Sequence, residues 1–139
     1  MTTSDERGNA RIVNALTIDV EDYFQVSAMA PHIARTQWGE IPCRVEHNID
    51  RILAMLDEHG VKATFFTLGW IAERYPELVR RIIAGGHELA SHGYAHQRAT
   101  DQSPDAFLAD IQLAKVVLED IAGRETKGYY SLQAVRKQK

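Results

Sequence analysis

Cysteine is nearly absent from this sequence: Cys43 is the single one among 139 residues. No internal disulfide can form, and no thiolate cage is available for a metal. An excess of basic charge is missing too. Sixteen Lys and Arg stand against 19 Asp and Glu, a formal net charge of −3, which argues against a dedicated nucleic-acid binder with its basic face. No apolar run approaches the ~20 residues a membrane span needs. The opening Met1-Thr2-Thr3-Ser4-Asp5-Glu6-Arg7 lacks the basic-then-apolar order of a secretory leader. The expectation is a cytoplasmic protein with neither nucleic-acid nor membrane partners. No repeat or low-complexity tract is present. A composition of 45% hydrophobic and 25% charged residues is that of one ordinary globular domain.

What is present is a regular alternation of element types. Residues 1–10 are polar and read as a flexible tail. In Ala15-Leu16-Thr17-Ile18-Asp19-Val20-Glu21, every second residue is apolar. That period predicts a strand with Leu16, Ile18 and Val20 on one face and Thr17, Asp19 and Glu21 on the other. Residues 23–44 hold Pro31, Gly39 and Pro42 and predict a long irregular connection with at most one short helix, the kind of loop that tends to be functional. Val45, Ile49, Ile52, Leu53 and Leu56 recur at helical spacing up to Gly60. Val61 to Leu68 is rich in aromatic and β-branched residues and predicts a second strand.

A helical turn near Ile71 is cut by Pro76, which starts a helix carrying Leu78, Val79, Ile82 and Ile83 and closed by Gly85-Gly86. His87 to Ser91 reads as a third strand. Ser103-Pro104 reads as an N-cap with proline at the first helical position. The helix behind it carries Phe107, Ile111, Ala114, Leu118 and Ile121 and stops at Gly123. Lys127 to Leu132 is placed as the start of a fourth strand. Such βα units form α/β folds with parallel strands and place ligand sites at the strands' carboxyl ends.

Two polar clusters fall at such ends. Asp19-Val20-Glu21-Asp22 offers carboxylates for a metal or for general-base work. Asp19 and Glu21 share a strand face, whereas Asp22 turns away unless a bend re-aims it; acids here also serve simply as solvated ends or helix caps. His92 and His96 are four residues apart, the spacing at which two imidazoles on a helical turn reach one ion. Two histidines and a carboxylate leave coordination positions open for a reactive water. The remaining residues have plainer readings. His87 either orients a ligand or faces solvent. Trp38, Trp70, Tyr23, Phe24 and Tyr94 line a sugar groove or pack the core, with Tyr94, beside the histidines, the strongest candidate for substrate contact. Cys43 has no context that would activate it as a nucleophile.

The text Leu16-Thr17-Ile18-Asp19-Val20-Glu21-Asp22-Tyr23-Phe24, then Ala63-Thr64-Phe65-Phe66, then Gly86-His87-Glu88-Leu89-Ala90-Ser91-His92-Gly93-Tyr94-Ala95-His96 resembles the polysaccharide deacetylase (NodB-homology) family of carbohydrate esterases. It is most like the deacetylases of exopolysaccharide export loci in Gram-negative bacteria. The resemblance runs over roughly 14–129. It implies a partial (β/α) barrel of the NodB type, with three to four βα units of a distorted seven-fold barrel. It also implies metal-dependent removal of N-acetyl groups from amino sugars of a polysaccharide or oligosaccharide. In the family's pattern the first acid of the first motif is the general base, here Asp19. A second acid of that motif, Glu21 or Asp22, joins His92 and His96 on a divalent metal, zinc first, with cobalt or nickel as alternatives. Strand parity favours Glu21.

After Lys127-Gly128-Tyr129 the family pattern continues with arginine, a small residue and proline, whereas this chain reads Tyr130-Ser131-Leu132 and on to Lys139. The third motif and the later general-acid histidine are not in this text. The expectation is therefore an incomplete copy: the N-terminal part of the domain over 11–129 and a divergent basic tail over 130–139. A marginal fold that self-associates goes with it. A non-catalytic metal- or sugar-binding remnant, or a hydrolase of smaller amides on the same barrel, is the alternative.

Overall fold

The alternation around Asp19 folds as strand β1, Thr17–Val20, in a computed structural model that describes residues 13–130. The tail over 1–10 and the segment past Tyr130 lie outside the described residues. β1 is shorter than the alternation because its neighbour β2, Thr64–Thr67, pairs with it over four residues only, Thr17 opposite Thr64 through Val20 opposite Thr67. β3, Glu88–Ser91, pairs with the other side of β2. Both pairings are parallel, and the order is β1-β2-β3. Parallel neighbours need long crossovers, and helices supply them. Helix α1, Val45–Glu58, lies between β1 and β2, while α2, Gly69–Arg74, and α3, Pro76–Ala84, lie between β2 and β3. Helix α4, Pro104–Ala122, follows β3.

The register puts Ile18, Phe65 and Leu89 in one row and Val20, Thr67 and Ser91 in another on the same face. This is the helix-covered face. Val20 and Phe65 pack with Val45, Ile49 and Leu56 of α1, Ile71 of α2, and Leu78 and Ile82 of α3. Leu89 packs with Ala72, Val79 and Leu118. The opposite face carries Asp19, Phe66 and Ala90. A parallel sheet with helices on one face and its other face turned inward is a segment of a barrel wall.

The fourth strand begins as a single parallel bridge between Ser91 and Tyr129, held by Ser91 N–H to Gly128 O at 2.8 Å and Tyr130 N–H to Ser91 O at 2.9 Å; Ser131 and Leu132 lie outside the described residues. Two expectations need correction. The connection over 23–44 holds three 3₁₀ turns, Tyr23–Gln25, Ser27–Met29 and Arg35–Gln37, where one short helix was expected. His87 does not face solvent. It is 4% exposed, its ring packs edge-on to Phe65, and its Nδ1 accepts Ala63 N–H at 3.2 Å.

Candidate metal centre

Asp19 and Glu21 leave the end of β1 on the face away from the helices, and the loop after β3 brings His92 and His96 to meet them. That loop is clamped at nearly every backbone position. His92 N–H reaches Thr67 O at 3.0 Å, and the carbonyls of Gly93 and Tyr94 accept from Gly69 and Trp70 N–H at 2.9 and 3.2 Å. The Asp110 carboxylate on α4 accepts Tyr94 and Ala95 N–H at 2.9 and 3.1 Å. Arg35 donates to Ala95 O at 2.7 Å and to His96 O at 3.1 Å. The two histidines therefore do not sit on a helical turn, as their spacing had suggested. Gly93 has φ +78° and His96 has φ +54°, left-handed conformations that a helix cannot contain. A side chain at 93 would also press on Asp110, whose Oδ2 lies 2.8 Å from the position a Cβ would take. His96 holds its unfavourable φ only because the clamps on either side fix the backbone.

The rings are 5.2 Å apart at 67°. Glu21 Oε2 lies 2.5 Å from His96 Nε2 and 3.7 Å from His92 Nε2. Asp19 Oδ2 stands at 4.0 Å from His92 Nε2 on a side chain that is 42% exposed, so solvent reaches it. Glu21, His92 and His96 form one group whose ligand atoms lie within 4.8 Å of each other. Glu21 Oε2 and both Nε2 atoms are buried without a hydrogen-bond partner. Three orphaned lone-pair atoms facing one point are costly unless something positive lies between them. Two neutral imidazoles and one carboxylate suit zinc or a similar divalent ion, so the residues fit a metal.

Two residues outside the sequence motifs shape the site. Tyr130 stacks on the His92 ring, 5.5 Å between centroids at 21°, and its carbonyl lies 3.1 Å from His92 Nδ1. A proton held on Nδ1 by that carbonyl leaves Nε2 as the free donor pair, the usual outer support of a ligating histidine. Arg35 acts from 61 residues away, through the His96 carbonyl. No local pattern marks either residue.

Two candidates go elsewhere. Asp22 is 5% exposed, and its Oδ1 accepts Tyr23 N–H at 2.9 Å while Oδ2 accepts the N–H groups of Arg44 and Val45 at 2.5 and 3.0 Å. It caps the 3₁₀ turn and, across the loop, the start of α1, which has no side-chain cap of its own. Its carboxylate is spent on amides and stands outside the histidine group. The hydroxyl of Tyr94 donates to Glu73 Oε2 at 2.5 Å, and burial, then this bond, push its pKa up to about 12. Tyr94 is not among the residues that line the cleft of about 320 Å³ in front of the histidines, which are Asp19, Glu21, Ser27, Ala28, His92, His96 and Tyr130. Phe24, Trp38 and Trp70 contact one another edge-on, with centroids 5.5–6.3 Å apart.

A family model described as polysaccharide deacetylase matches residues 37–131. The chain is 38% identical over 77 residues to a peptidoglycan-N-acetylglucosamine deacetylase of Bacillus cereus, covering 55% of this chain and 28% of that protein. It is 41% identical over 66 residues to a chitooligosaccharide deacetylase of Rhizobium leguminosarum bv. trifolii, covering 48% and 31%. The crystal structure of a peptidoglycan N-acetylglucosamine deacetylase superposes with a TM-score of 0.62 at 30% identity, over 83% of this chain and 44% of that one. The chain thus spans under a third of the length of these curated relatives. Since the family match takes in most of the chain, and the half-covered parallel sheet is part of the barrel its relatives share, this chain belongs to the polysaccharide deacetylase family.

Proposed function

We propose that this chain carries the metal-binding part of an active site that removes N-acetyl groups from the amino sugars of a glycan. The carrying observation is the convergence of three buried, partnerless ligand atoms from Glu21, His92 and His96, with an accessible Asp19 at their rim. Glu21, His92 and His96 would hold the ion, zinc or a close relative. When bound, such an ion polarises an amide carbonyl and makes a water easier to deprotonate.

The chain's own groups do the rest. Asp19 Oδ2 accepts a proton from the attacking water, whose oxygen bonds to the acetamide carbon. Collapse of the adduct breaks the C–N bond, leaving acetate and an amine that must take up a proton. Tyr130 and Arg35 keep the two imidazoles aimed. The substrate is read as an N-acetylated polysaccharide or oligosaccharide, and an exopolysaccharide pathway in the cytoplasm is its setting.

A second reading keeps the metal and drops the turnover. Beyond Asp19 and the three residues that would hold the ion, no described histidine or carboxyl lines the cleft to protonate the leaving amine, and losing such an acid costs ~10²–10⁴ in rate. Incubating the chain with chito-oligosaccharides and zinc, and measuring free amine, separates the two. Amine release that falls ~10²–10⁴-fold in Asp19→Asn supports the deacetylase. Zinc binding that needs His92 and His96, without amine release, supports the second.

A further inference from the structure

Neither strand pairing nor an α-helix holds the 23–44 connection in place; side chains do. Asp22, just before it, bonds to the N–H groups of Arg44 and Val45 at its far end, so the segment closes on itself. Trp38, 4% exposed, packs against Phe24 and Trp70 with centroids 6.1 and 5.5 Å away. Arg74 on α2 donates to Gly39 O at 2.9 Å. A segment pinned at so few points opens locally at low cost.

Arg35 is where this segment meets the metal centre. Among the described residues, both hydrogen bonds between the connection and the histidine loop come from its guanidinium, Nε to Ala95 O and Nη2 to His96 O. A rigid fork that grips two successive carbonyls belongs to arginine and not to lysine. The second carbonyl is that of the residue at φ +54°, a conformation a non-glycine residue keeps only while its surroundings enforce it. When the fork lets go, the backbone at 96 relaxes and carries the imidazole off the point it shares with Glu21 and His92. The same connection brings Ser27 and Ala28 into the cleft wall beside Asp19.

We infer that Arg35 is a positioning residue that couples occupancy of the metal centre to docking of the 23–44 connection. An ion on His96 fixes the carbonyl that Arg35 grips and so favours the docked connection. The docked connection favours the ion by the same free energy, because such coupling is reciprocal. Metal binding thereby also sets the cleft wall at Ser27 and Ala28. The inference rests on the metal reading of Glu21, His92 and His96, and it does not depend on turnover.

The test is zinc titration calorimetry of the full chain, with melting temperatures of the zinc-free proteins and limited trypsin digestion alongside. Zinc is expected to slow cleavage after the exposed Arg35 several-fold in the wild type, read by mass spectrometry. Arg35→Gln is expected to weaken zinc binding by ~10–100-fold, as for other outer supports of a ligand, at nearly unchanged zinc-free melting temperature. Arg35→Lys falls between, since an ammonium cannot hold both carbonyls in one geometry. Arg74→Gln is the sharper arm: Arg74 contacts Gly39 and Trp70 and not the histidine loop, yet coupling requires it to weaken zinc several-fold and to speed cleavage after Arg35. Unchanged zinc affinity in Arg35→Gln overturns the proposal, as does a loss that only follows the melting temperature. Zinc affinity and cleavage untouched in Arg74→Gln, or wild-type cleavage indifferent to zinc, overturns the coupling. A wild type that binds no zinc sinks the metal reading itself, and this inference with it.

Discussion

Glu21 and Asp22 are adjacent acids with divided work. A bend after β1 sends one carboxylate to the histidines and the other to backbone amides at two helical starts. Glu21→Gln is expected to weaken zinc binding by more than the ~10–100-fold typical of outer-sphere changes, with little loss of stability. Asp22→Ala is expected to do the reverse, costing about 1–2 kcal/mol as a lost cap while zinc still binds. Titration calorimetry and denaturant unfolding on the same two variants read both. His87 supplies a pH signature. Burial, aided by the Lys62 charge, lowers its pKa from the ordinary 6.5, so the folded chain disfavours the imidazolium that the unfolded chain accepts. Its contribution to stability is complete above pH 6.5 and is lost as pH falls from there through the depressed value. Melting temperatures of the wild type against His87→Gln, taken through that window, should show the slope flatten in the variant. The ligand types were legible in the sequence, since two histidines and an acid carry their chemistry in their names. Strand parity favoured Glu21 over Asp22, and Glu21 is the acid beside the two rings; which side of each ring faces it was not legible.

Most element types were readable from local text. The period of two before Asp22, the helical spacing of Val45, Ile49 and Leu56, and the stops at Gly60 and Gly123 with φ +64° at each depend on near neighbours alone. So does the Ser103 cap, whose Oγ accepts Ala106 N–H at 3.2 Å. The histidine loop was misread as a helical turn because spacing carries no sign of φ. Its shape comes from Asp110 and Arg35, which act over 16 and 61 residues. Helix α2 meets this loop at Gly69, where a Cβ would stand 2.6 Å from Tyr94 Cδ2 and 3.1 Å from Ala114 Cα on α4. Gly69→Ala is therefore expected to cost about 1–3 kcal/mol by overpacking and to lower zinc affinity by moving the loop. A variant that loses stability in urea unfolding and keeps its zinc affinity would uncouple α2 from the site.

At the scale of the molecule, the sheet is covered by helices on one face, and the outer edge of β1 has no partner strand among the described residues. Leu108, Leu113 and Val116 on α4 are 53%, 47% and 64% exposed. An open edge and an apolar helix face favour association with further copies. Sedimentation is expected to show species larger than a monomer, reduced in Leu113→Lys/Val116→Lys with no loss of melting temperature; a monomer at all concentrations would remove the expectation. The order of strands and helices, the covered face of each, and the residue types able to hold a metal were all written in short stretches of chain, because propensity, period and ligand chemistry act between close neighbours. The meeting of Glu21 with the imidazoles, the carbonyl of Tyr130 behind His92 and the Arg35 clamp arose from contacts between distant segments. Nothing local specifies such contacts, since they exist only once the sheet has brought the ends of β1 and β3 to the same rim.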